Sequence, residues 1–194
     1  MLNERLKNYT VILASGSPRR QQFFTDLGLD FEIRLKNIEE VFPETLIAEE
    51  ITNYLAELKA NAFEGELNEK DILVTSDTIG WHNKKALGKP KDYADAFQIL
   101  KSLSNETHDV ITSVCFKTTE KTITFHETTK VTFNPLSDEA IAYYIENFKP
   151  YDKAGAYGIQ EWIGFIGVKK IEGSYANVMG LPVDKVFAYF NSLV

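Results

Sequence analysis

Strand-like apolar runs and helices alternate along the first hundred residues, and this alternation restricts the fold more than any other feature. Tyr9 to Ala14 reads as a buried strand. Pro18 then suits the first turn of a helix, where its missing N–H costs nothing. That helix runs through "RRQQFFTDL" and stops at Gly28, and "FEIRL" follows as a second short strand. In "ETLIAEEITNYLAELKANAF", Ile47, Ile51, Leu55, Leu58 and Ala62 recur at helical spacing and form one apolar face. "DILVTSDT" is a further strand, ending in an acid at Asp77, and "GKPKD" is a turn into the helix "YADAFQILKSL".

Beyond that helix the pattern changes. "DVITSVCF" and "TITFHETTKVTF" alternate with period two and are expected to pair as antiparallel strands. "SDEAIAYYIENF" is a helix capped by Ser137. "WIGFIGVKKIEG" reads as a glycine-bearing strand. "SYANVMG" reads as a loop that leads through Leu181 and Pro182 into a final helix, "VDKVFAYFNSL". Early alternation followed by antiparallel strands predicts a mixed α/β fold. No repeat, low-complexity tract or linker interrupts the 194 residues, so a single domain over 1–194 is expected.

Hydrophobic residues make up 44% of the chain, enough for a substantial core, which argues against disorder. A net charge of −7 argues against a broad nucleic-acid or anionic-membrane surface, though not against one local basic pocket. Cys115 is the only cysteine, so no internal disulfide forms; it lies in an alternating run and reads as a small core residue. The opening "MLNERLKNYT" lacks an apolar signal core and no apolar run approaches a membrane span, so a soluble cytoplasmic protein is expected.

The candidate chemistry begins at "SGSPRR". Ser15, Gly16 and Ser17 occupy a strand-to-helix turn, where free N–H groups and the helix dipole attract anions. Arg19 and Arg20 add forked donors suited to phosphate, yet successive helical residues point about 100° apart, so the two would grip different phosphates. Read alone, the stretch fits an anion site or a helix start with solvated arginines. Cations in a first helical turn oppose the macrodipole, which makes the second reading less comfortable.

Asp77 suits metal or catalytic work at a strand end, or simply starts a turn. Glu39–Glu40 alone reads as a solvated loop, and Lys59 as a solvated lysine bordering an apolar helix face. Lys89 is held between Gly88 and Pro90, as a fixed charge or a polar turn. "YDKAGAYGIQ" has neither strand nor helix period, and its glycines allow close approach of a ligand; Asp152 and Lys153 could be a plain ion pair. No G-x-x-x-x-G-K-[ST], no G-x-G-x-x-G after the first strand and no H-E-x-x-H occurs. His82, His108 and His126 are scattered, and no Ser–His–Asp set assembles.

Taken together, "SGSPRR", "SDT", "LGKP", "DKAGAYGIQ" and "GSYANVMGLP" stand in the order and approximate spacing of one family. The chain resembles the Maf family of nucleoside triphosphate pyrophosphatases from about Val11 to the final helix. The "DKAGAYGIQ" form resembles the subgroup acting on dTTP and UTP rather than the one acting on 7-methyl-GTP. The resemblance implies an elongated α/β fold of inosine-triphosphatase type, with a mixed central sheet flanked by helices and a cleft between two lobes. It implies hydrolysis of dTTP, UTP and modified pyrimidine nucleotides to the monophosphate and pyrophosphate, with Mg²⁺ or Mn²⁺ as cofactor.

Carried over by position, it makes Asp77 the general base or metal-linked carboxylate and places Glu40 near the metal. Ser15, Arg19, Arg20, Lys59 and Lys89 become phosphate contacts. Lys153 joins the substrate-binding set, and Arg19, Thr78 and Gln160 match positions tied to substrate choice. It allows a homodimer, links the family to cell-division arrest, and implies neither a nucleic-acid nor a membrane partner. Two departures stand out: Ser76 where alanine is common, and Glu161–Trp162 where a glycine usually follows the glutamine. Two rival functions are a phosphatase releasing orthophosphate and a non-catalytic nucleotide-binding regulator of cell division.

Overall fold

In the computed structural model, which describes residues 2–193, the apolar runs become strands of one mixed sheet. The elements are α1 (Leu2–Leu6), β1 (Thr10–Leu13), α2 (Pro18–Asp26), β2 (Glu32–Ile33), α3 (Glu49–Asn61), β3 (Asp71–His82), β4 (Lys85–Leu87), α4 (Tyr93–Leu103), β5 (Thr107–Lys117) and β6 (Thr122–Phe133). They continue as α5 (Asp138–Phe148), a 3-10 turn (Ala154–Ala156), α6 (Trp162–Gly167), β7 (Val168–Glu172), α7 (Tyr175–Val178) and α8 (Val183–Ser192).

The strand order is β2-β1-β3-β5-β6-β7, with β4 paired to β3. β1 runs parallel to both β2 and β3, whereas the β3–β4 and β6–β7 pairs are antiparallel. β5 and β6 are neighbours, joined at one end by Thr118 N–H donating to the Lys121 carbonyl and at the other by Phe133 N–H donating to that of Glu106. Those two bonds make the expected antiparallel hairpin.

The chain divides into two compact units. One holds the residues through Asp77, Thr112–Glu127 and the stretch from Gly180 onward; the other holds Thr78–Ile111 and Thr128–Met179. In the first unit, period-two alternation sends successive side chains to opposite faces of the sheet. Val11, Leu13, Ile72, Val74, Val114 and Phe116 meet Leu2 and Leu6 of α1, Phe24 of α2, and Val186 and Phe190 of α8. Ile12, Leu73 and Cys115 meet Ala56 and Ala60 of α3 on the other face. Cys115 is thus a buried core residue, as expected. Small residues let α3 lie close to the strands: the Ala56 carbonyl accepts from Thr75 Oγ1 at 2.6 Å.

The core of the second unit joins Ala96, Leu100 and Leu103 of α4 to Ile141, Tyr144 and Ile145 of α5, over Val110, Val131 and Phe133. Both helices begin on side-chain caps, Asp92 accepting from Asp95 N–H at 2.9 Å and Ser137 from Ala140 N–H at 3.1 Å.

Several expectations need correction. Asp77 does not end its strand. β3 continues to His82, because "TIGWH" is itself strand-forming and pairs with β4 through a tight turn at Asn83 and Lys84, whose φ values are 49° and 60°. Ile47 lies before α3 and is 59% exposed, because Ala48 takes φ 49° and the Glu50 carboxylate accepts from the Ile47 N–H. "WIGFIGVKKIEG" is not one strand: residues 162–167 form α6 and only Val168–Glu172 forms β7. "SYANVMG" contains α7, begun by Ser174 Oγ accepting from Asn177 N–H at 3.3 Å.

Candidate active site

A strand-to-helix turn is only a turn until its donors are traced. Ser15 is buried; its Oγ accepts from Ser17 N–H at 3.3 Å and from Arg20 Nη1 at 3.4 Å. Its carbonyl accepts from Gln21 Nε2 at 3.1 Å. Pro18 opens α2 as expected, and Gly28 beyond its end takes φ 67°.

Arg20 is anchored rather than solvated. Its Nε donates to the Gly180 carbonyl at 2.8 Å and its Nη1 to the Ser76 carbonyl at 2.9 Å. One guanidinium therefore ties α2 to β3 and to the turn before α8. Gly180, at φ 109°, had no role assigned from sequence; only its place in "GSYANVMGLP" pointed to it. Burial pulls the Arg20 guanidinium below its ordinary pKa, with the nearby Asp77 charge opposing. Arg19, on the preceding helical position, has partners of its own.

Asp77 lies on the face of β3 that carries Leu73 and Thr75. Its Oδ1 accepts from Lys59 Nζ at 2.6 Å, and the same ammonium lies 3.0 Å from Glu40 Oε1. Helical side chains lean toward the helix N-terminus. The Lys59 stem therefore reaches back past Ala56, which is held at Thr75, to a carboxylate two residues further along β3. Lys59 is no surface lysine, with 14% side-chain exposure against 9% for Asp77 and 42% for Glu40. Burial raises the Asp77 pKa above the ordinary carboxylate value; Lys59 and Arg20 oppose that rise and Glu40 adds to it. The adjacent Ser76 hydroxyl is buried without a hydrogen-bond partner.

The donor set can be tested against a divalent ion. Among the described residues no three His, Cys, Asp or Glu side chains converge on one point. Two carboxylates do converge on a single cation, the Lys59 ammonium. A pair of carboxylates completed by phosphate oxygens and water is a usual setting for Mg²⁺. Asp77 and Glu40 fit that setting.

In the second unit, two of the motifs meet. Gly155 N–H donates to the Gly88 carbonyl at 3.1 Å, which ties the exposed Lys89 loop to the 3-10 turn of "DKAGAYGIQ". Gly155 takes φ 71° there, a conformation that only glycine adopts freely. Lys153 is 8% exposed, with its Nζ 2.7 Å from Asp152 Oδ1 and 3.2 Å from Glu161 Oε1. Gln160 Oε1 is buried and lacks a hydrogen-bond partner. Thr78, next to Asp77, has partners of its own. Sequence reasoning missed Tyr144, whose hydroxyl contacts Glu161; it lay hidden on the apolar face of α5. His108 Nε2 is 2.8 Å from the Tyr157 hydroxyl and stacks near Phe133; burial lowers its pKa to about 4, as for a neutral core histidine.

A family model described as Maf-like protein matches residues 10–193. The chain is 71% identical over 194 residues to the dTTP/UTP pyrophosphatase of Flavobacterium johnsoniae, covering 100% of both chains. It is 54% identical over 187 residues to a protein of that name from Christiangramia forsetii, covering 96% of this chain and 95% of the relative. It is 47% identical over 189 residues to one from Bacteroides fragilis, covering 97% and 98%. Among solved structures, it is similar to the Ham1 protein of Staphylococcus aureus, with a TM-score of 0.49 and 17% identity over 95% of this chain and 100% of that one.

Proposed function

Because the chain belongs to the Maf family, we propose that it is a nucleoside triphosphate pyrophosphatase acting on dTTP and UTP in the cytoplasm. The observation that carries this reading is the buried Asp77 carboxylate, paired with Lys59 and flanked by Arg20. Relatives matching 97–100% of the chain bear the name dTTP/UTP pyrophosphatase, which supports the substrate class.

Asp77 is the general base. Its raised pKa brings it toward operating pH, where a base works best while still ionised. It takes a proton from water as that water attacks; the anhydride bond between the α- and β-phosphates breaks, and pyrophosphate leaves with the bond's electron pair. Lys59, Arg19 and the Ser15 turn offset the charge of the triphosphate, while Arg20 adds charge from its anchored position and fixes the turn. A Mg²⁺ or Mn²⁺ ion held by Asp77 and Glu40 would supply further neutralisation of phosphate oxygens. The assignment of Thr78, Lys89, Lys153 and Gln160 to substrate binding rests on the family resemblance. The pairing of Lys153 with two carboxylates makes it a weaker phosphate contact than an unpaired lysine would be.

Product analysis tests the reading. Incubation with dTTP and Mg²⁺ is expected to release dTMP and pyrophosphate in equal amounts. Orthophosphate as first product would indicate a phosphatase, and nucleotide binding without turnover would indicate a regulator. Asp77→Asn is expected to lower kcat by about 10²–10⁴-fold with the fold intact; near-normal kcat in that variant would remove Asp77 from the chemistry.

A further inference from the structure

A glutamine amide presents an acceptor and a donor that interchange on flipping, so base reading by Gln160 requires a rigid support. The main chain that carries Gln160 has such a support, built from a residue that departs from the family pattern. The Glu161 carboxylate is held at both oxygens: Oε1 lies 3.2 Å from Lys153 Nζ, and Oε2 accepts from the Tyr144 hydroxyl. That hydroxyl in turn accepts from Gly158 N–H at 3.0 Å. Glu161 N–H donates back to the Gly158 carbonyl at 3.0 Å, and the Glu161 carbonyl accepts from Gly164 N–H at 2.9 Å.

The segment from Gly158 to Glu161 is therefore closed on itself, with Gln160 inside it. A side chain at Gly158 would displace the Glu161 carboxylate: a Cβ there would lie 2.7 Å from Glu161 Cδ. Burial, and next the bond to Glu161, push the Tyr144 hydroxyl well above the ordinary tyrosine value, so it remains a donor to the carboxylate. Within this rigid turn the Gln160 side-chain oxygen Oε1 is buried with no partner, an acceptor whose desolvation is uncompensated in the chain.

We infer that Glu161 is a positioning residue for base selection: its carboxylate, locked by Lys153 and Tyr144, fixes the turn that presents the Gln160 carbonyl oxygen as an acceptor. An acceptor so fixed takes the N3–H donor of thymine or uracil and leaves the N3 acceptor of cytosine facing a like group. The inference rests on the proposed activity toward pyrimidine triphosphates and adds the device that orients the reader.

The test compares wild type, Glu161→Gln, Tyr144→Phe, Gln160→Ala and the Gln160→Ala/Glu161→Gln pair. For each, kcat/KM is measured for dTTP, UTP and CTP, together with equilibrium binding of dTTP and CTP in EDTA and the Tm. Glu161→Gln keeps shape but removes the charge that binds Lys153. It is expected to reduce the preference for dTTP over CTP by about tenfold, more than it changes kcat for dTTP. Tyr144→Phe is expected to shift the ranking the same way by a smaller factor. In the Gln160→Ala background, Glu161→Gln is expected to add nothing further to the ranking.

An unchanged ranking, an equal loss for all three triphosphates, or independent effects in the double variant would each overturn the inference. If Glu161→Gln does not fold, the Tyr144→Phe ranking decides. If wild type releases no pyrophosphate, the proposed activity fails, while the binding ranking in EDTA still decides the role of Glu161.

Discussion

Asp77 holds a charge in a place that opposes it, and its stability and its chemistry pull in opposite directions. Burial raises its pKa despite Lys59 at 2.6 Å, so the folded chain keeps this proton at pH values where an unfolded aspartate, near ~3.9, has lost it. The stability this group contributes is complete below about pH 4 and is lost as pH rises through the folded value. Asp77→Asn removes the titration. Thermal unfolding of both proteins in EDTA is therefore expected to show wild type losing stability relative to the variant as pH rises above about 4. A difference that moved the other way would mean that Lys59 and Arg20, not burial, dominate. The same ionisation would free the proposed base, so kcat/KM is expected to rise with pH over the range in which that stability is lost.

At the scale of elements, α6 shows how one close contact overrides local pattern. Residues 162–167 are rich in β-branched and aromatic side chains and suggest a strand, yet they coil into a short helix. Gly164 makes this possible: a Cβ there would lie 1.9 Å from the Ile159 carbonyl oxygen, so backbone packs directly on backbone. Gly164→Ala is expected to cost about 2–4 kcal/mol, because the obstacle is main chain that must shift. Urea denaturation measures it, and a loss below about 0.5 kcal/mol would show that the contact relaxes freely. The contrast with α5 is instructive. There the helical period, the Ser137 cap and the exposed polar face all agree, and the element runs from Asp138 to Phe148 as its sequence indicates.

At the scale of the whole molecule, a chain of net charge −7 is proposed to take a polyanionic substrate, so its cations must be concentrated where they are used. Lys59 and Arg20 are held by residues far away in sequence, and no cluster of three metal-ligand side chains occurs among the described residues. The proposed metal is accordingly expected to act in turnover and not as a structural staple. Removing divalent ions with EDTA is expected to abolish hydrolysis while moving the Tm by less than about 2 °C. A large drop in Tm on chelation would show that metal binding is part of folding. No helix among the described residues is long and apolar enough to cross a membrane.

What the sequence determined by itself was local or ordinal. Apolar runs placed β1 and β3, period-two alternation placed β5 and β6, an apolar face placed α3, the Ser137 cap placed α5, and Pro18 and Gly28 bracketed α2. The ordered motifs named the candidate residues, because a motif is a pattern of neighbours in the chain. Partnerships were decided only in three dimensions. Lys59 spans 18 residues to reach Asp77, Arg20 spans 160 to reach Gly180, and Glu161 is locked by Tyr144 and Lys153. No periodicity encodes such pairs: a buried charge takes whichever opposite charge or carbonyl the packing brings near, since leaving it unpaired costs several kcal/mol, about 3–5. Packing likewise decided that β3 runs on past Asp77 and that α6 is a helix, because a paired strand and a glycine pressed on a carbonyl outweigh the small preferences of single residues.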